Sequence, residues 1–199
     1  MLDNAGLVPV SAHVGAEMVA SDPEYAIRAA KDLDVEYIVI PWMDASKMDG
    51  KDAWLRVAED FRRAGERLGA EGVRLCYHNH DHEFRRIDGD LIMDLLLGAA
   101  AGGLEAELDV YWITYAGEDP VEQIRRYQGR CPLLHIKDMS GDDSRTFTEV
   151  GRGIIDMKAV FREGTNAGAR WFIVEQDVTP GDALDSAHIS AEYMAHQSL

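Results

Sequence analysis

The chain has 199 residues, 46% of them hydrophobic, and sets 36 Asp and Glu against 20 Lys and Arg, a formal net charge of −16. That length and apolar content allow one domain with a sizeable core and exclude a disordered chain. The charge repels phosphate backbones and anionic lipid, so neither nucleic acid nor a membrane surface is an expected partner. No run reaches the roughly 18 apolar residues that a membrane-crossing helix needs, and residues 1–20 lack the basic start and apolar stretch of a leader. Cys76 and Cys131 sit in or beside apolar runs without a C-x-x-C neighbour. Buried free thiols in a reducing cytoplasm are therefore expected.

In chain order, Met1-Leu2-Asp3-Asn4-Ala5-Gly6-Leu7 reads as the end of a helix, closed by glycine before an extended run at 8–14. Ser21-Asp22-Pro23-Glu24 then marks a helix start, with a capping side chain and a proline in the first turn. A second extended run covers 37–42. Beyond it Trp54, Leu55, Ala58, Phe61 and Leu68 form one helical face, opposite Arg56, Glu59, Arg63 and Glu66. Further apolar, β-branched runs follow at 73–80, 104–112, 133–138 and 171–177, each too short for a lone helix. Alternating strand and helix, with strand starts about 30–40 residues apart, predicts βα units on a parallel sheet. Six units are visible, against eight in a closed barrel. No linker or low-complexity stretch divides the chain, so a single domain over 1–199 is expected.

Four of the six runs hold, at or near their ends, a side chain that can ligate a divalent metal: His78 in Tyr77-His78-Asn79-His80, Asp109, His135 and Glu175. Carboxyl ends of parallel strands gather on one face, where such a barrel builds its active site. Each residue has a second reading. Asp109 equally suits a cap on the next turn or an Arg partner, and a lone His135 suits the core. Glu175 follows Trp171-Phe172-Ile173-Val174, where a buried charge needs a metal or an Arg. Glu149-Val150-Gly151-Arg152-Gly153 reads either as a flexible loop or as a closing loop whose glycines admit a hydroxyl or phosphate. Trp42 and Trp112 read equally as apolar walls for a sugar ring or as core. His80 and His82 read either as hydrogen-bonding a substrate or as solvated loop residues, the second favoured for His82.

As an ordered set, Ser11-Ala12-His13-Val14, Tyr77-His78-Asn79-His80 with Glu83-Phe84, Leu108-Asp109-Val110-Tyr111-Trp112, Leu134-His135-Ile136-Lys137-Asp138, Glu149-Val150-Gly151-Arg152-Gly153 and Val174-Glu175-Gln176-Asp177 resemble the sugar phosphate isomerase/epimerase group of the xylose-isomerase-like TIM-barrel superfamily. The resemblance implies an α/β TIM barrel whose first two βα units lie ahead of this sequence. It also implies a divalent ion (Mn, Co, Zn or Mg) held by Asp109, His135, Glu175 and His78. Related ketose epimerases place a second catalytic glutamate where His78 stands, and Glu83 in the following loop is a substitute carboxylate. The implied catalytic groups are Glu175 as base, Lys137 facing the oxyanion, and His78 or Glu83 as second acid/base. His13, His80, Trp112, Glu149 and Arg152 are the implied substrate contacts.

The expected activity is a metal-dependent isomerase or epimerase of a sugar, keto-sugar or sugar phosphate, acting through an enediolate. An inosose-type dehydratase on the same site is the alternative, and a non-catalytic sugar-binding or partner subunit is a second one. Zinc endonucleases of the same superfamily need more histidines and tolerate a −16 charge poorly. Six units leave two sheet edges open, so the expectation is either a homo-oligomer joined through the region around residues 1–20 or a chain that gains stability from an upstream segment of roughly 45–55 residues, about two short βα units.

Overall fold

Asp3–Ala5 forms one 3-10 turn, stopped by Gly6 at φ 67°, the helix end expected before the first strand. This computed structural model describes residues 3–197, so Met1 and Leu2 of that segment lie outside the described residues. The chain forms two compact units, residues 1–106 and 107–199.

In the first unit strand β1 (Ser11–His13) leads through helices α1 (Ala16–Ser21) and α2 (Pro23–Leu33) to β2 (Tyr37–Ile40). Asp22 caps α2 by accepting from the Tyr25 N–H at 3.1 Å, with Pro23 in the first turn. Helix α3 (Gly50–Gly69) buries Trp54, Ala58, Phe61 and Leu68 and turns Arg56, Arg63 and Glu66 to solvent, as the stripe predicts. Strand β3 (Arg74–His78) follows, then a hairpin of β4 (Arg86–Ile87) and β5 (Asp90–Leu91), and helix α4 (Ile92–Ala99). β1 and β3 flank β2 in parallel, with His13 opposite Val39 and Ile40 opposite Tyr77. All four residues of β2 are 0% exposed, which is why that run is continuously apolar.

Strand β6 (Glu105–Asp109) starts in the first unit and continues into the second. Helices α5 (Val110–Tyr115) and α6 (Pro120–Arg126) lead to β7 (Leu133–Ile136). A short antiparallel pair, β8 (Asp138–Met139) and β9 (Phe147–Thr148), precedes α7 (Met157–Ala167), β10 (Trp171–Val174) and α8 (Ala183–Ala195). β6 and β10 flank β7 in parallel, pairing Asp109 and Ile173 with His135. Each of the six extended runs thus contains one parallel strand, shorter than the run itself. The run at 104–112 divides at Asp109: Val110-Tyr111-Trp112 is helical because the Asp109 carboxylate accepts from the Trp112 N–H at 3.0 Å and starts α5. Cys76 and Cys131 are buried free thiols, as expected. Among the described residues no helix is long and apolar enough to cross a membrane.

Candidate active site

The second unit gathers its acidic and basic groups by strand parity. Side chains two apart on a strand share a face, and Asp109 and Ile173 both register with His135. Glu107 and Asp109 therefore share a face with His135, Lys137 and Glu175. His135 Nδ1 lies 3.7 Å from Asp109 Oδ2 and 3.9 Å from Glu107 Oε2, while its Nε2 lies 3.5 Å from Glu175 Oε2. Glu107 and Asp109 are fully buried and His135 is 4% exposed.

Lys137 reaches into the same set. Its Nζ stands 2.7 Å from Glu175 Oε2, 2.9 Å from Asp177 Oδ1 and 3.4 Å from Asp109 Oδ2, with the Phe147 ring centroid at 5.9 Å. Burial of Lys137 opposes its charge, but Asp109, Glu175 and Asp177 more than offset this and hold its pKa above the ordinary lysine range. Glu175 is not the buried charge that its apolar run implies: its side chain is 45% exposed, and the cation it meets is a lysine. Asp109 caps α5 through Oδ1, as one of its readings has it, while Oδ2 faces His135 and Lys137.

Asp109, His135 and Glu175 provide carboxylate oxygens and an imidazole nitrogen, a donor set that suits Mn²⁺, Co²⁺, Zn²⁺ or Mg²⁺. Three carboxylates on one ammonium is also a charge pattern that a divalent cation balances. One ion takes one ring nitrogen of His135. Since Asp109 and Glu175 face opposite nitrogens, sharing an ion calls for side-chain movement, and half-exposed Glu175 is the freer of the two.

Next to this cluster, the loop at 149–155 is fastened by Asp138. Asp138 Oδ2 accepts from the N–H groups of Gly151 (2.9 Å) and Gly153 (3.0 Å), and Oδ1 accepts from Met139 (2.9 Å) and Ile155 (3.3 Å). The glycine N–H groups are thus engaged within the chain. Glycine is required twice: a Cβ on Gly153 would come 2.2 Å from Asp138 Oδ1, and one on Gly151, at φ 87°, 2.2 Å from the Tyr193 ring. Glu149 is buried and accepts from the Ser186 hydroxyl at 2.7 Å, which holds its pKa below the ordinary glutamate value. Ser190 accepts from the Val150 N–H. Arg152 is exposed. Trp112 is half-buried, edge-on to Tyr111 and Tyr115.

The remaining sequence candidates lie in the first unit. His78, buried, ends β3 with its Nδ1 3.2 Å from the Pro41 carbonyl. His13 is exposed at the end of β1, its ring 6.1 Å from that of His78. His80 is half-buried, 5.0 Å ring to ring from His78. Glu83 is fully buried and accepts from the Tyr77 hydroxyl (2.5 Å) and the His80 N–H (2.8 Å), with His82 Nε2 at 2.7 Å. His82 is accordingly packed rather than solvated. Trp42 is 51% exposed and lines a cavity of about 620 Å³ with Met18, Met43 and Phe61. Glu107 and Asp177 were not singled out in the sequence, although each lies two residues from a candidate ligand.

The family model for the xylose isomerase-like TIM barrel matches residues 20–195. The chain is 27% identical over 163 residues to an inosose dehydratase of Lacticaseibacillus casei, in an alignment covering 71% of this chain and 54% of that protein. It therefore spans about half the length of that dehydratase. A crystal structure of a sugar phosphate isomerase/epimerase from Parabacteroides distasonis ATCC 8503 superposes with a TM-score of 0.86 at 27% identity, over 97% of this chain and 72% of that one. An L-ribulose 3-epimerase shares the fold, with a TM-score of 0.73 at 16% identity over 98% and 76%. With parallel strands carrying the clustered side chains and the family match spanning most of the sequence, the chain belongs to the xylose isomerase-like TIM barrel family.

Proposed function

We propose that this chain carries a divalent-metal-dependent site that moves a proton on the carbon beside a carbonyl, isomerising or epimerising a sugar, keto-sugar or sugar phosphate. The observation that carries this is the meeting of Asp109, His135 and Glu175 with Lys137 at the carboxyl ends of three adjacent parallel strands. Asp109, His135 and Glu175 would hold the ion; the candidacy of His78 as a further ligand rests on the sequence resemblance. The ion, when bound, supplies a Lewis acid that polarises a carbonyl and its neighbouring hydroxyl and acidifies the C–H between them.

The side chains do the rest. Glu175, half open to solvent, takes the proton as the C–H bond breaks, and the electron pair moves to the carbonyl oxygen to give an enediolate. Lys137, held charged, faces that developing oxyanion. Returning the proton to the neighbouring carbon, while the hydroxyl proton passes to the former carbonyl oxygen, isomerises the sugar; returning it to the opposite face of the same carbon epimerises it. His78 is the candidate second acid. The contacts around Glu83 favour a role in holding the loop that carries His80 over the acid/base role that the resemblance implies. His13, His80, Trp112, Glu149 and Arg152 are the proposed substrate contacts.

The inosose dehydratase relative favours a second reading, dehydration. The same C–H step would be followed by departure of a β-hydroxyl, protonated as it leaves, as water. Ketoses and inososes incubated with protein and Mn²⁺ in D₂O distinguish the outcomes: carbon-bound deuterium without loss of water marks isomerisation or epimerisation. Glu175→Gln is expected to abolish deuterium incorporation and leave the fold intact. Undiminished incorporation in that variant would place the base elsewhere.

A further inference from the structure

The ammonium of Lys137 stands where a cation shared by Asp109 and Glu175 would compete with it. It touches both carboxylates, at 3.4 and 2.7 Å, and its side chain is only 4% exposed. An ion taking those two carboxylates repels the ammonium from them, yet a buried lysine without an acidic partner is costly. The chain offers a third carboxylate at the same ammonium. Asp177 Oδ1 accepts a hydrogen bond from Nζ at 2.9 Å, and Asp177 follows Glu175 by two residues, beyond the end of β10. Its side chain is 36% exposed, and it does not contact His135 among the ion pairs that bind Asp109, Glu107 and Glu175 to that ring.

We propose that Asp177 is a positioning residue for Lys137: it anchors the ammonium when a divalent cation takes Asp109 and Glu175, so that ion and lysine occupy the site together. This rests on the metal reading above. Without Asp177 the ammonium's acidic partners among the described residues are the ion's own ligands, and Lys137 becomes a built-in competitor for them. With Asp177 the lysine stays beside the position where a substrate oxyanion would form.

The test is calorimetric titration of the full chain with Mn²⁺ alone, for wild type, Asp177→Asn, Lys137→Met and the double variant. Asp177→Asn is expected to bind Mn²⁺ about tenfold more weakly, the scale of one charge-assisted hydrogen bond. Lys137→Met is expected to bind at least as tightly as wild type. In the Lys137→Met background, Asp177→Asn is expected to change affinity by less than about twofold, because Asp177 acts only through the lysine. Asp177→Glu, which keeps the carboxylate, should restore most of the affinity. Equal weakening in both backgrounds would show that Asp177 acts on the ion directly and would overturn the proposal, as would unchanged affinity in Asp177→Asn. Wild type that takes up no Mn²⁺ would overturn the metal reading itself and this proposal with it. Should Lys137→Met fail to fold, Lys137→Gln provides the same background.

Discussion

Glu83 is a fully buried carboxylate. Burial pushes its pKa up, but His82, the Tyr77 hydroxyl and the His80 N–H together hold it below the ordinary glutamate range. The same contact works on Tyr77 in the other direction, burial first and the Glu83 charge second raising the phenol well above its usual value. For a carboxyl depressed in the folded state, the stabilisation is fully present above the unfolded pKa, about 4.3, and is lost as pH falls through the folded value. Glu83→Gln should lower stability at neutral pH by about 2–4 kcal/mol, since a buried amide cannot accept from all three partners. The gap between the melting curves of wild type and variant should narrow below about pH 4. A gap independent of pH would show that ionised Glu83 contributes nothing to the fold.

At the scale of elements, close approach of backbones fixes where helices meet. Gly65 on α3 lies against the turn after α4, where a Cβ would come 1.6 Å from the Gly103 carbonyl oxygen. Alanine in a helix interior gains up to about 1 kcal/mol over glycine, but forced overpacking costs about 1–3 kcal/mol and sometimes more. The clash should win: Gly65→Ala is expected to lower the denaturation midpoint in urea, by an amount corresponding to about 2 kcal/mol. An unchanged or raised midpoint would mean that the α3–α4 contact yields without strain. Elements also show what the sequence carries and what it hides. Asp109, His135 and Glu175 are legible because ligand-type side chains at strand ends stand out against β-branched runs. Asp177 and Glu107 are within reach of the same parity, each two residues from a candidate ligand. The helix beginning at Val110 was hidden by three apolar residues that continue the strand pattern; only the geometry of Asp109 as a cap divides them. The attachment of the 149–155 loop to Asp138 joins residues more than ten apart, and no local periodicity encodes it. The glycines were visible, but not that their N–H groups point to a carboxylate of the chain itself.

Across the whole molecule, three parallel strands in each unit correspond to the six runs read from the sequence, and the family match over residues 20–195 agrees with them. The two short antiparallel pairs, β4 with β5 and β8 with β9, were not foreseen because two-residue strands leave no alternation to detect. The net charge of −16 is compatible with uptake of a cation into an acidic cluster. The central claim is that Asp109, His135 and Glu175 share one divalent ion, and anomalous diffraction at the manganese edge from crystals soaked in Mn²⁺ tests it most directly. The account predicts one strong peak within about 2.0–2.3 Å of a carboxylate oxygen of Asp109, a ring nitrogen of His135 and a carboxylate oxygen of Glu175. No peak at that position under saturating Mn²⁺, or a peak held by other side chains, would contradict it.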